Sequence, residues 1–232
     1  MATFNLFQYD TLLLYRSNAN TLRVIGQATD THDTWVNHAG LNDDYSTAYL
    51  AAITACTHMY VDYKTLSAFD VNDKANFVPN LEYLNLNDCT LMTTANVTSF
   101  ANLVSFSISN TSLFDNVFAQ LPMDKSLDLI DVSNTRNITH VPSANTIIAA
   151  HSMLTNIDPA ISKVKRLIAN NARITTVQAT DQTSVIIWSY SGRKLTITGA
   201  TNNLTVLTPQ AVTDVVGSMG SMVVLPMSYF AL

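Results

Sequence analysis

The sequence predicts a β-rich α/β solenoid, a superhelix of short parallel strands with N- and C-terminal caps. Three observations lead there. Residues 81–91 read LEYLNLNDCTL, with apolar side chains at the first, fourth, sixth, ninth and eleventh positions. The same spacing recurs from Cys56, Leu81, Leu103, Leu127, Ile147, Val164, Val185 and Leu204. These starts lie 25, 22, 24, 20, 17, 21 and 19 residues apart, mostly near the roughly 20–29-residue period of short strand-bearing repeats.

Positions four and six are two residues apart, so on a strand they share one face. Leu84 with Leu86, Phe106 with Ile108 and Ile130 with Val132 are therefore expected to point inward. The later copies pair Ala150 with Ser152, Leu167 with Ala169 and Trp188 with Tyr190. The last, degenerate copy places Leu207 at position four. One such strand cannot bury its apolar side alone, but stacked copies make a continuous core. Cys56 and Cys89 fall on inward positions and read as small buried hydrophobes, with no disulfide framework. The connecting segments are short and rich in Thr and Asn. Residues 114–125, FDNVFAQLPMDK, have room for a helical turn before Pro122, and more strand than helix is expected.

The run at residues 81–91 resembles the leucine-rich-repeat consensus at each of its fixed positions, with Cys89 in the Asn/Cys slot. The resemblance extends over residues 56–212. It departs from the family at position nine, which is usually Thr or Ala here. In the family an Asn at that position binds backbone in the turn after the strand. Asn110, Asn134 and Asn170 are the neighbours available to replace it. The resemblance also implies that ligands bind the concave sheet, on the outward strand positions three, five and seven.

Residues 1–55 do not follow the repeat and read as an N-terminal cap. Residues 11–15 and 21–25 look like a hairpin around Ser17–Asn20. Residues 43–54 look like a helix, with Asp44 or Ser46 to cap it and Tyr49, Leu50, Ala52 and Ile53 on one side. Residues 213–232 are apolar, with Gly217 and Gly220 as breaks, and form either the second cap or a docking tail. Met222, Tyr229 and Phe230 are its candidate partner contacts, since such side chains are unusual on a free surface.

Charged residues make up only 12% of the chain, about half the globular average of roughly 25%. The net charge of −5 argues against nucleic-acid binding by charge. No apolar run reaches the ~18 residues that span a membrane, and MATFNLFQYD lacks the basic, then apolar, pattern of a signal peptide. The chain is accordingly expected in a virion or the cytoplasm. No phosphate-binding glycine loop, nucleophile elbow or zinc-binding motif occurs. His32, Asp33 and His38 lie close in sequence but read as a surface loop. No catalytic residue, metal or cofactor is expected.

The binding candidates are the outward residues of the strands: His58, Tyr60, Tyr83, Asn85, Asp131, His151 and Arg166. Tyr60 and Tyr83, on neighbouring repeats, suggest an aromatic anchor, because Tyr is enriched at binding hot spots. Leu129, Ile168 and Ile187 also fall on this side and suggest that part of the sheet is covered. The expected function is non-enzymatic. The first reading is a structural component of a virus or phage particle, with protein partners in a larger or symmetric assembly. The alternative is a ligand-binding module, such as an adhesin or a cytosolic recognition protein.

Overall fold

The computed structural model describes residues 6–9, 12–27, 54–62, 64–70, 78–122, 127–157, 164–189, 193–199, 204–208, 214–216 and 222–225. The chain is a parallel β-solenoid with little helix. Its long sheet begins with Leu6–Tyr9 and Leu12–Asn18, which pair antiparallel with each other. Leu12–Asn18 then pairs antiparallel with Thr21–Gln27, the hairpin the sequence suggested. From Thr21–Gln27 onward every pairing is parallel. The strands are His58–Val61, Tyr83–Asn85, Ser105–Ser107, Leu127–Asp131, Ala144–Ile148, Arg166–Asn170, Val185–Ser189, Leu204–Leu207 and Met222–Leu225, in chain order.

The register carries one residue of each strand into a single column. Leu22, Met59, Leu84, Phe106, Ile130, Ile147, Leu167, Ile186, Val206 and Val224 are successive partners. From Leu22 to Val206 all are buried. A second inward column runs beside it through Leu86, Ile108, Val132, Ala149, Ala169 and Trp188, all fully buried. The Trp188 indole N–H, which would otherwise be stranded in the core, donates to the Ile174 carbonyl at 2.8 Å.

This register corrects three of the repeats. Ile147 pairs with Ile130, so it occupies position four, and the copy begins at Ala144 and not at Ile147. Its inward strand residues at positions four and six are Ile147 and Ala149; Ala150 is not one of them, and Ser152 is buried in the turn at position nine. Likewise Ile186 pairs with Leu167 and Trp188 with Ala169, so Trp188 is the sixth position of a copy that starts at Thr183. In the last copy Val206 takes position four, and Leu207 turns outward beside Ile187. In each case a small or polar residue at position one gave the spacing too little apolar signal.

Among the described residues, five of the strands are closed by a turn with one residue in the left-handed region. Asp88, Asn110, Asn134, His151 and Asn171 have φ of 61°, 55°, 57°, 55° and 56°. Each is position eight of its repeat, and Asn, Asp and His tolerate this conformation best among non-glycine residues. The ladder continues through the turn: the Asp88, Asn110 and Asn134 amides donate to the carbonyls of Ser109, Ser133 and Ala150 at 2.8–2.9 Å. Asn171, and not Asn170, fills this place. Position nine then satisfies the turn from within. The hydroxyls of Thr111, Thr135 and Ser152 donate to the carbonyls of Ile108, Val132 and Ala149 at 2.8, 2.6 and 2.8 Å. A Thr at position nine thus closes the turn through a hydroxyl, with no Asn needed.

The return side holds short strands where an α/β repeat would hold helices. Ala68–Asp70 pairs with Thr94–Asn96, His140–Val141 with Asn156–Ile157, and Thr176–Ala179 with Thr196–Gly199 and then Asp214–Val216. Between the first two pairs lies a 3₁₀ helix, Asp115–Gln120, at the place where a helical turn was expected. Its side chains replace the missing ladder. The Gln120 amide donates to the Ala95 carbonyl at 3.1 Å and accepts from the Val97 N–H at 2.9 Å. On the other side the Asp115 carboxylate accepts from the N–H of Thr139 at 2.8 Å and of His140 at 3.2 Å. Both exposed strand edges are thereby paired.

The expected helix at 43–54 lies outside the described residues except for its last position. Met222–Leu225 is not a free tail. It pairs residue for residue with Leu204–Leu207 as a further strand of the long sheet. Tyr229 and Phe230 lie outside the described residues.

Gly199 has φ of 98° and stands against Ala179, where an added Cβ would collide with the Ala179 carbonyl oxygen. Gly199→Ala is expected to lower stability by about 2 kcal/mol or more, through a left-handed backbone and a clash between stacked strands. Calorimetry on both proteins checks this; an unchanged Tm contradicts it.

Candidate functional site

The outward residues of the first three parallel strands meet in an aromatic and ionic cluster. Tyr60 and Tyr83 sit diagonally on neighbouring strands, and their ring centroids are 5.4 Å apart, tilted by 49°. His58, directly paired with Tyr83, places its ring 5.4 Å away on the other side. Arg23, from the hairpin, lies over the Tyr60 ring at 5.0 Å. Both Asp62 carboxylate oxygens accept from the same Arg23 nitrogen, at 3.0 and 2.8 Å. The pair is well exposed, so its direct contribution to stability is small. Its effect is to fix the guanidinium over the ring.

A hydrogen-bonded chain continues from Tyr83 toward Asp131. The Asn85 amide donates to the Tyr83 hydroxyl at 3.1 Å, and the Asn85 carbonyl accepts from the Asn87 N–H at 2.9 Å. The Asn87 carbonyl in turn accepts from the Ser107 hydroxyl at 2.7 Å and the Ser109 N–H at 2.8 Å. Ser107 also lies 3.4 Å from Asp131, whose other oxygen accepts from the Ser133 N–H at 2.9 Å. Burial pushes the Tyr83 phenol above its ordinary pKa, against the bond from Asn85, and the charge of Asp131 adds to the rise. Tyr83 is therefore a neutral, half-buried ring with an immobilised hydroxyl.

Of the residues expected from sequence, His58, Tyr60, Tyr83 and Asn85 are brought together, and Asp131 joins them through Ser107. Arg166 is exposed on the same sheet face but stands two strands beyond Asp131, on the order of 10 Å away. His151 is not on the strand face. It occupies the left-handed turn position, with its Nδ1 3.3 Å from the Asn171 amide. The outward residues of its strand are Thr146 and Ile148. Sequence reasoning missed Arg23 as a member of the site, whereas Asp62, Asn87 and Ser107 stand at outward repeat positions that the spacing already marks. The 37-residue step from Leu22 to Met59 hid the hairpin strand's place in the stack.

Past Asp131 the same face turns aliphatic. Ile148, Ile168, Ile187 and Leu207 are register partners in one outward column, all half-buried, with Leu129 and Val185 beside them. Among the described residues no group of three or more His, Cys, Asp or Glu is placed to hold a metal ion. His32, Asp33 and His38 lie outside them. Among the described residues no helix is long and apolar enough to cross a membrane.

Compared with known proteins, the chain matches no protein-family model, no curated protein and no solved structure. Its class rests on the coordinates alone: a parallel β-solenoid with a two-part outer sheet face.

Cys56 and Cys89 are fully buried thiols that are not joined in a disulfide. Burial pushes Cys89 up from 9.0 to about 11, with Lys64 opposing. Folding thus favours the neutral thiol. The resulting stabilisation is complete below the unfolded pKa and is lost as pH rises through the folded one. Stability is expected to fall between pH 9 and about 11, and Cys89→Ala to flatten that part of the profile. Tm measured against pH for both proteins checks this; identical slopes contradict it.

Proposed function

We propose that the chain is a non-enzymatic structural component of a larger assembly, of the kind that builds virus or phage particles, and that copies pack across the outer face of the long sheet. The observation that carries this reading is the aliphatic column Ile148–Ile168–Ile187–Leu207, which runs across four strands with Arg166 as its charged neighbour. The column is half-buried within the chain, water contact along its remaining surface is unfavourable, and contiguous apolar surface suits an interaction site. A second copy is the fitting occupant, because a column of like side chains is self-complementary about a two-fold axis. The ten parallel strands give this face a length of about 43 Å, enough for an interface of ordinary size. The low charge of the chain, 12%, also suits closely packed protein surfaces.

Within this reading the solenoid is leucine-rich-repeat-like on the strength of residues 81–91, with hydroxyl-closed turns in place of the family's Asn. The N-terminal hairpin serves as its first cap. In solution the native chain is expected to sediment as a dimer or larger species at roughly 10–100 µM, and Ile168→Lys to convert it to monomer with its circular dichroism unchanged. A monomeric native chain at these concentrations overturns the proposal.

The cluster of Arg23, His58, Tyr60 and Tyr83 favours a second reading, a ligand-binding module that uses the other end of the face. Ordered aromatic rings with an arginine are typical binding anchors. On arrays of glycans and peptides, this reading expects a defined signal that Tyr60→Ala, Tyr83→Ala and Asp131→Asn each reduce about tenfold, with the circular dichroism of the folded chain retained. Equal signals from all three variants remove it.

A further inference from the structure

The turns that close the strands form a second surface, at the edge of the solenoid and away from the outer sheet face. There, three successive repeats line a cleft of about 300 Å³, the lower end of the range for small-ligand sites. Its walls are Asn, Thr and Ser side chains with a single charged group, Arg136.

The hydrogen-bond inventory shows what these walls still offer. The Asn110 amide N–H₂ donates to Asp88 at 3.0 Å, which leaves its carbonyl oxygen as an acceptor. The Asn137 N–H₂ donates to the Ser112 carbonyl at 3.0 Å, again with its own oxygen left over. Ser112 gives its hydroxyl proton to the Thr90 carbonyl at 2.7 Å. Thr111 gives its own inward, to Ile108, at 2.8 Å. Asn110, Thr111, Ser112 and Asn137 are thus held in place, which preorganises that part of the lining. Among the described residues the Asn134 carboxamide and the Arg136 guanidinium make no such bond. The ion pairs there are Arg23–Asp62 and Lys64–Asp88, and neither engages Arg136.

Such a cleft does not suit an apolar ligand, because no large apolar side chain lines it. It offers acceptors on Asn110 and Asn137, both functions of an amide on Asn134, and one planar cation. Hydroxyl groups both donate and accept, so they match amide side chains, and a guanidinium matches a carboxylate through two parallel bonds. We infer that this cleft binds a small acidic sugar, its carboxylate on Arg136 and its hydroxyls on Asn110, Asn134 and Asn137.

The test is calorimetric titration of the full chain with glucuronate, and separately with glucose and with acetate. Saturable glucuronate binding in the millimolar range is expected, with glucose and acetate each about tenfold weaker or more, since each carries only part of the recognised chemistry. Arg136→Gln, an exposed substitution, is expected to weaken glucuronate about tenfold or more while Tm stays unchanged. Asn134→Ala is expected to weaken both sugars and leave acetate unaffected. No glucuronate binding up to ~50 mM overturns the inference, as does equal binding by acetate or by Arg136→Gln. None of these outcomes depends on how the outer sheet face is used.

Discussion

The molecule depends on one constraint: every parallel strand must present an apolar residue to the same inward column. Leu84, Phe106, Ile130, Ile147, Leu167 and Ile186 stand above one another because the strands pair without a slip. A slip of one residue in Tyr83–Asn85 or Ser105–Ser107 turns the inward residue outward and brings Tyr, Asn or Ser in. The burial that each strand contributes is therefore conditional on its neighbours, as is usual where contacts reach only from one repeat to the next. The left-handed residue at position eight reinforces this register. It ends five of the strands at the same height and continues the ladder into the turn.

Much of this core was legible in the sequence. Residues 81–91 and 103–113 carry leucine, isoleucine or phenylalanine at most key positions, residues 164–174 carry apolar residues at all of them, and their inward faces follow from the spacing. The copies at Ala144 and Thr183 were misplaced because those first positions contribute almost no apolar signal. A sharper marker was present. Asp88, Asn110, Asn134, His151 and Asn171 recur at one offset, and a residue that tolerates positive φ fixes register better than a small apolar one. The return strands were illegible for a different reason. Segments of two to four residues are too short for periodicity to separate strand from turn.

The outer face was half legible. Tyr60 and Tyr83 could be placed together because their repeats were correctly aligned. Arg23 could not, since its strand precedes the recognisable repeats. The two ends of that face differ in physical character. One is held by directional contacts: ring against ring, guanidinium over ring, amide to hydroxyl. The other is a column of aliphatic side chains with no such demand. The first end suits selectivity, and the second supplies area.

The 3₁₀ helix has a consequence for the architecture as a whole. Asp115 and Gln120 let one coil abandon its return strand while both neighbours keep theirs. The girth of a coil is thereby uncoupled from the pitch of the stack. A coil can be lengthened, trimmed or reshaped at the back, and its front edge still meets the coils above and below at an unchanged height.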